Sequence, residues 1–365
     1  MTDLTQIRAS LSPGPDGSSV SVDVPPGSIR SGCRCTWVGA SGLHRSESKR
    51  VVRLPARVQP RARAWHRRGV AATFRLHDLL LSNRRSRSLY ANHRRRLTEV
   101  QRRVVDEVAA SGYSLLTFDQ LFSDQHWGSL QAQAAEFAEQ AERNLERLRQ
   151  RTGKSFLVRK YDYGQQNVLD LADAWLSVGL SPMLLGIANA SLGMWSKLEY
   201  LDLWYSIPVA SDAERKASQA WHRDFEDSHL LKVFLYLRDV DERTGPFEFV
   251  AGSQIGGPLE HIEPWQPTGI AVSERGSTLQ ELDKRVAAEV PKENLRTFTG
   301  PQGTMIFCDT TGLHRGGFAE YHPRLLATLA YTSPASLAAL TKRNFAIAPR
   351  ADLSRLDPAA GFAIL

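Results

Sequence analysis

Between Lys197 and Tyr331 the chain is a succession of short hydrophobic and aromatic runs cut by turn residues, and this spacing constrains its fold more than any other feature. Lys197–Ser206, Leu230–Val240, Phe247–Val250 and Leu325–Tyr331 read as strands, and Asp241-Glu242-Arg243-Thr244-Gly245-Pro246 reads as a turn between two of them. Leu295–Thr299, the turn Gly300-Pro301-Gln302-Gly303 and Thr304–Asp309 read as a hairpin that delivers His314 just past its second strand. Helical periods lie mostly upstream. In Leu89–Ala110 the residues Leu97, Val100, Val104, Val105 and Val108 share one side. Gly112–Phe118 follows as a strand after a glycine stop, then Leu130–Arg149 and Leu169–Val178 as further helices, with a break at Ser181-Pro182 before Leu184–Leu192.

The chemistry-bearing block is Gln219-Ala220-Trp221-His222-Arg223-Asp224. If Trp221–Phe225 is extended, His222 and Asp224 point to the same face, because strand side chains alternate. An imidazole and a carboxylate then converge on one point. A second histidine from a neighbouring strand would complete a two-histidine, one-carboxylate facial set, which leaves three coordination positions open and suits non-haem Fe(II). His314 is the candidate. Arg324 opens a strand-like run ten residues later, and a guanidinium there is suited to a carboxylate through paired hydrogen bonds. Arg315 is its rival, but directly after His314 it turns to the opposite side if the strand continues. For a single His-x-Asp, a core hydrogen bond of His222 or a salt bridge from Asp224 to Arg223 is the competing reading. His229, His261 and His322 fall outside the pattern and read as surface or substrate-side residues, and Cys308 as a buried thiol. Tyr200, Trp204 and Tyr205 face either a ligand or the packed core, with packing preferred.

From about Tyr90 to Ala330 the chain resembles the phytanoyl-CoA dioxygenase family of Fe(II)/2-oxoglutarate oxygenases. The resemblance is carried by Trp221-His222-Arg223-Asp224, the strand Leu231-Lys232-Val233-Phe234-Leu235-Tyr236-Leu237, Gly245-Pro246-Phe247, Val250-Ala251-Gly252-Ser253, and His314 followed by Arg324. It implies a mainly β fold with flanking α, a double-stranded β-helix (a jelly-roll, cupin-like barrel) buttressed by helices. It implies His222, Asp224 and His314 as catalytic iron ligands and Arg324 as the partner of the distal carboxylate of 2-oxoglutarate. Such an enzyme uses O2 to convert 2-oxoglutarate to succinate and CO2 while hydroxylating an unactivated C–H of a small-molecule metabolite. Asp224 favours hydroxylation, desaturation or cyclisation over halogenation, since related halogenases carry a small residue there. A non-catalytic metal-binding barrel and a nucleic-acid-directed oxygenase are the alternatives.

Charge bears on the second alternative. The net charge of +7 comes largely from arginines between Arg45 and Arg103, while the remainder is close to balanced. No nucleic-acid-binding motif or aromatic platform accompanies them, so nucleic acid is not the expected partner. Met1 to about Arg50 is rich in Ser, Gly and Pro and reads as disordered. The expected organisation is an Arg-rich extension over 1–84 and an oxygenase domain over 85–365, with the insertion at 259–293 as a candidate substrate lid. Three cysteines, Cys33, Cys35 and Cys308, make no disulfide framework, and no apolar run reaches the length of a membrane span. With no secretory leader apparent, a soluble protein of the cytoplasm is expected.

Overall fold

The structure is a computed structural model and describes residues 83–147, 156–161, 167–209, 215, 217–224, 226–262, 279–336 and 344–365. The expectations for residues 1–82, including disorder and the Cys33/Cys35 pair, lie outside the described residues, as do residues 263–278 of the expected lid.

The single helix expected over Leu89–Ala110 is two, α1 (Asn83–Asn92) and α2 (Glu99–Ser111). The break comes from a capping box at Thr98. Its hydroxyl accepts from the Gln101 amide at 3.2 Å, and the Gln101 side chain accepts from the Thr98 amide at 2.9 Å. Helix α2 stops at Gly112, which takes the left-handed φ of 87° and donates its N–H to Val108. Then follow β1 (Tyr113–Thr117), α3 (Asp124–Arg143), β2 (Leu157–Arg159) and β3 (Asn167–Leu169). The helix expected over Leu169–Val178 is shortened to α4 (Ala174–Gly179), because Asp173 caps it by accepting from the amides of Trp175 and Leu176. Next come α5 (Pro182–Leu192), β4 (Lys197–Ser206), β5 (Leu230–Tyr236), β6 (Phe247–Val250) and α6 (Leu279–Glu289). The chain continues through β7 (Leu295–Phe298), β8 (Thr304–Cys308), β9 (His314–Arg315), β10 (Arg324–Thr332), β11 (Phe345–Ile347) and α7 (Pro358–Ile364).

The described chain is mainly sheet with flanking helices. Six strands form one sheet in the order β1-β8-β5-β10-β4-β2, three form a second in the order β7-β6-β9, and β11 pairs with β3. The hairpin expected at 295–309 does not exist. Strand β7 pairs with β6, whereas β8 pairs with β1 and β5 in the other sheet. The turn at 300–303 carries the chain across: Gly300 bridges Val240, and the Gly303 amide donates to Tyr236 at 2.7 Å. Phe298 and Ile306 therefore meet across one core instead of side by side.

Alternation along the large sheet explains why its central strands are buried on both faces. Leu325, Ala327, Leu329 and Tyr331 of β10 pack with Val104 of α2, Leu130 of α3, Leu176 of α4 and Ile187 of α5. Leu326 faces the other way, into a core of Phe234, Tyr236 and Ile306 closed by Phe247, Phe249 and Phe298 of the small sheet. Each such fully buried side chain contributes about 1.5–3 kcal/mol. On the outer face of the small sheet, Trp221, Val250 and Leu313 pack with Ile262 and with Val286 of α6, so the described ends of the 259–293 insertion are anchored there. No helix among the described residues is long and apolar enough to cross a membrane.

One close approach locks the loop before β10. A Cβ on Gly317 would run into the Gly245 carbonyl, and Gly245 itself has a φ of +77°. Gly317→Ala is expected to cost roughly 2–3 kcal/mol, as overpacking against immobile backbone does. Urea denaturation checks this, and an unchanged midpoint would refute the contact.

Candidate metal centre

The site is built from backbone pairing. His222 and His314 form an antiparallel bridge in which each amide donates to the other's carbonyl at 2.9 Å. Opposed residues share a phase, so Trp221 and Leu313 face the outer apolar cluster while His222 and His314 face the space between the sheets. The Asp224 amide donates to Thr310 at 2.9 Å, which holds the carboxylate beside them. Only His222 of the expected extended segment is bridged, and Phe225 lies outside the described residues.

The structure brings His222, Asp224 and His314 together, with one ligand atom from each within 4.8 Å of the others. His222 Nε2 is 3.9 Å from Asp224 Oδ1, His314 Nε2 is 3.4 Å from Asp224 Oδ2, and the two rings are 4.2 Å apart. Each Nδ1 lies 2.9 Å from the carbonyl two residues earlier, that of Ala220 or Gly312. A carbonyl only accepts, so Nδ1 carries the proton and the Nε2 lone pair points to the shared centre. Serine 253 adds a clamp: its hydroxyl donates to Val250 at 2.6 Å and accepts from the Leu313 amide at 2.7 Å, fixing the segment that presents His314.

Arg223 is turned away from Asp224. It is buried and donates to the carbonyls of Ser253, Thr311, Glu260 and Ile262, which ties the metal block to the loop after β6. The partner of Asp224 is Lys232, whose Nζ lies 2.5 Å from Oδ2 and 3.1 Å from Glu226 Oε1. Burial works against the Asp224 charge, but Lys232 and then His314 outweigh it and hold this carboxyl well below the usual range. Burial and the neighbouring His314 push His222 down to about 3, so its imidazole is neutral. Sequence reasoning missed Lys232, yet it left a signal. A lysine within the otherwise apolar run Leu230–Tyr236 has to find an anionic partner once the strand is buried. Glu199 in β4 is a second such residue; burial and the nearby Glu226 push its carboxyl up to about 8.

Arg324 reaches the same cavity, which has a volume of about 620 Å³ and is also lined by His222, Asp224, His314 and Lys232. Its guanidinium is buried and donates to the Gly245 carbonyl and, at 3.4 Å, to Ser206. Its Nε has no hydrogen-bond partner, and it makes no ion pair with any carboxylate among the described residues. Arg315 differs in kind. It forms a paired contact with Glu248 at 2.9 and 2.7 Å, reaches Asp283 at 3.4 Å, and stacks on Trp221 at 4.7 Å. Tyr200 and Trp204 line the cavity, whereas Tyr205 packs in the helix-side core and its hydroxyl donates to Glu142 at 3.1 Å. His229, His261 and His322 do not line it, and Cys308 is buried in the core between the sheets.

No protein-family model matches the chain, and no curated protein matches it. Among solved structures, EctD from S. alaskensis with bound Fe is similar at a TM-score of 0.43 and 17% identity, covering 70% of this chain and 85% of that one. The non-heme alpha-ketoglutarate-dependent epimerase SnoN from nogalamycin biosynthesis is similar at a TM-score of 0.41 and 17% identity, covering 64% and 83%. HygX from Streptomyces hygroscopicus, with nickel and 2-oxoglutarate bound, gives a TM-score of 0.38 and 16% identity over 66% and 88%. Likenesses this distant leave the functional reading to the site itself.

Two outcomes follow from the buried charges. Lys232→Met strands Asp224 and Glu226 without a cation, so the metal-free protein is expected to lose roughly 3 kcal/mol and to regain part of it when a divalent cation binds. Equal losses with and without metal in thermal unfolding would remove Lys232 from the carboxylate's surroundings. Glu199 has a folded-state value near 8 against an ordinary 4.5, so it favours the folded state below about pH 4.5 and that stabilisation is lost as pH rises to 8. Glu199→Gln abolishes this decline. The metal-free variant is expected to exceed the parent by on the order of 3 kcal/mol at pH 8 and to match it at pH 5 in urea titrations.

Proposed function

We propose that this protein is an Fe(II)- and 2-oxoglutarate-dependent dioxygenase of the phytanoyl-CoA dioxygenase type, hydroxylating a C–H bond of a small-molecule metabolite. The observation that carries the reading is the coexistence, in one cavity, of a convergent His222/Asp224/His314 set and a buried Arg324 without a carboxylate partner. A structural histidine cluster would not need the arginine. A structural arginine would have its charge answered, as Arg315 and Arg223 do. The donor set suits non-haem iron, and the orphaned guanidinium nitrogen fits an incoming carboxylate.

The fold reading is a double-stranded β-helix. It is supported by strands β4, β5, β8 and β10 in one sheet and β6, β7, β9 and the bridged His222 in the other, with the chain crossing repeatedly between them. His222 and His314 would hold the metal through Nε2, and Asp224 through its carboxylate. Arg324 would hold the distal carboxylate of 2-oxoglutarate. When bound, iron, 2-oxoglutarate and O2 supply the oxidation, giving succinate, CO2 and a hydroxylated product.

The chain's own contribution is preparation. Both imidazoles have their Nδ1 proton committed to a backbone carbonyl, so neither has to rotate or change tautomer to present Nε2. Asp224 is kept ionised by Lys232, which also stops its second oxygen from swinging. Phe234, Phe247 and Leu326 give the cavity that holds Arg324 and the three ligands an apolar wall. The reading of a soluble, cytoplasmic small-molecule enzyme rests on composition together with this cavity.

Anaerobic addition of Fe(II) and 2-oxoglutarate is expected to produce a weak visible charge-transfer band. His314→Ala and Asp224→Ala abolish it, and Arg324→Ala raises the 2-oxoglutarate concentration it requires about tenfold to a hundredfold. Absence of the band together with metal-independent 2-oxoglutarate binding would sink the proposal and leave a non-catalytic scaffold.

A further inference from the structure

Arg324 and the three ligands leave part of the cavity wall without a role. Arg324 stands at one end of β10, opposite Ser206, and Ala330 lies about 20 Å further along the strand, opposite Tyr200 and Lys232. At that second end β4 carries an irregularity. Ala330 is opposite Tyr200 while Tyr331 is opposite Leu198, so Glu199 is the extra residue of a bulge. Regular alternation would put Glu199 and Tyr200 on opposite faces, whereas here both line the cavity.

Glu199 is 2% exposed, yet its Oε2 has no hydrogen-bond partner. The Oε2 of Glu226, which lines the same cavity, has none either, because Lys232 reaches only its Oε1. An unmade hydrogen bond to a buried polar oxygen costs about 1–3 kcal/mol, more when it is charged. Both residues line the space of about 620 Å³ that also holds His222, Asp224 and His314, so a molecule bound there can bring the missing donors. Lys232 answers Asp224 Oδ2 and Glu226 Oε1 and leaves both glutamate Oε2 atoms unmatched. Burial and the neighbouring Glu226 raise the Glu199 carboxyl, and the Lys232 ammonium and the Thr332 hydroxyl only partly offset them. The flanking wall is apolar and aromatic, from Phe156, Leu157, Tyr200 and Phe234.

We infer that Glu199 and Glu226 form a substrate-recognition subsite for an organic cation, a protonated amine or amidine whose N–H groups complete the two orphaned acceptors. The aromatic wall then encloses the carbon skeleton. This names the substrate class of the oxygenase proposed above and rests on that reading. Glu199 and Glu226 are positioning residues in this role: they orient the substrate and do not touch the metal.

The test uses the full chain and three pairs of small probes that differ in charge: benzylamine against N-benzylacetamide, cyclohexylamine against N-cyclohexylacetamide, and benzamidine against benzamide. Ligand-observed NMR is expected to give at least one cationic probe about tenfold or more tighter than its neutral partner. Glu199→Gln and Glu226→Gln are each expected to remove that preference, while Glu199→Asp keeps part of it, and thermal unfolding verifies that each variant is folded. Equal binding within all three pairs, no binding by any cation, or an undiminished preference in both glutamine variants overturns the subsite. The anaerobic Fe(II)/2-oxoglutarate band is recorded on the same samples. A band without cation preference rejects only the subsite, and cation preference without a band rejects the oxygenase while the acidic subsite stands.

Discussion

The antiparallel bridge between His222 and His314 sets the phase of everything around it. Two segments ninety residues apart are paired by reciprocal hydrogen bonds, and that pairing decides which side chains look inward. A slip of one residue would send both imidazoles into the apolar cluster behind the small sheet and bring Trp221 and Leu313 into the cavity. The surrounding structure guards against the slip from several directions. Arg223 gathers four carbonyls, Ser253 clamps the backbone at Leu313, and Asp224 is tied to Thr310.

The buried cations show how differently this interior treats the same charge. Arg223 donates to four backbone carbonyls, and Arg315 is answered by two carboxylates and an aromatic face. Lys232 is shared between Asp224 and Glu226. Arg324 alone among these four has neither a carboxylate nor a full set of acceptors. A chain does not ordinarily keep a guanidinium out of water on those terms, and the proposed carboxylate site rests on that imbalance.

Much of the sheet was legible from sequence because alternation and turns are local. Lys197–Ser206 and Phe247–Val250 have the bounds their residues suggest. The arch at 300–303 was not legible, since a turn that pairs two strands and a turn that crosses between sheets share the same glycines and prolines. The helix break was written in Thr98 and Gln101, but an apolar stripe running through it outweighed the cap signal. In the site, His222, Asp224, His314 and Arg324 stood out by type and spacing, and the structure gathers all four around one cavity. Lys232 and Glu199 did not stand out. Their meaning depends on burial and, for Glu199, on a bulge that no residue pattern announces.

That bulge also separates two kinds of change in descendants of this chain. His222, Asp224 and His314 come from the small sheet and the loops bridged to it, while Glu199 and Tyr200 come from one irregular stretch of β4. Deleting or shifting the extra residue would re-aim the far wall of the cavity without moving His222, Asp224 or His314. Such a change would alter only the lining that β4 contributes, while Glu226, two residues after Asp224, would stay with the His222–His314 pairing.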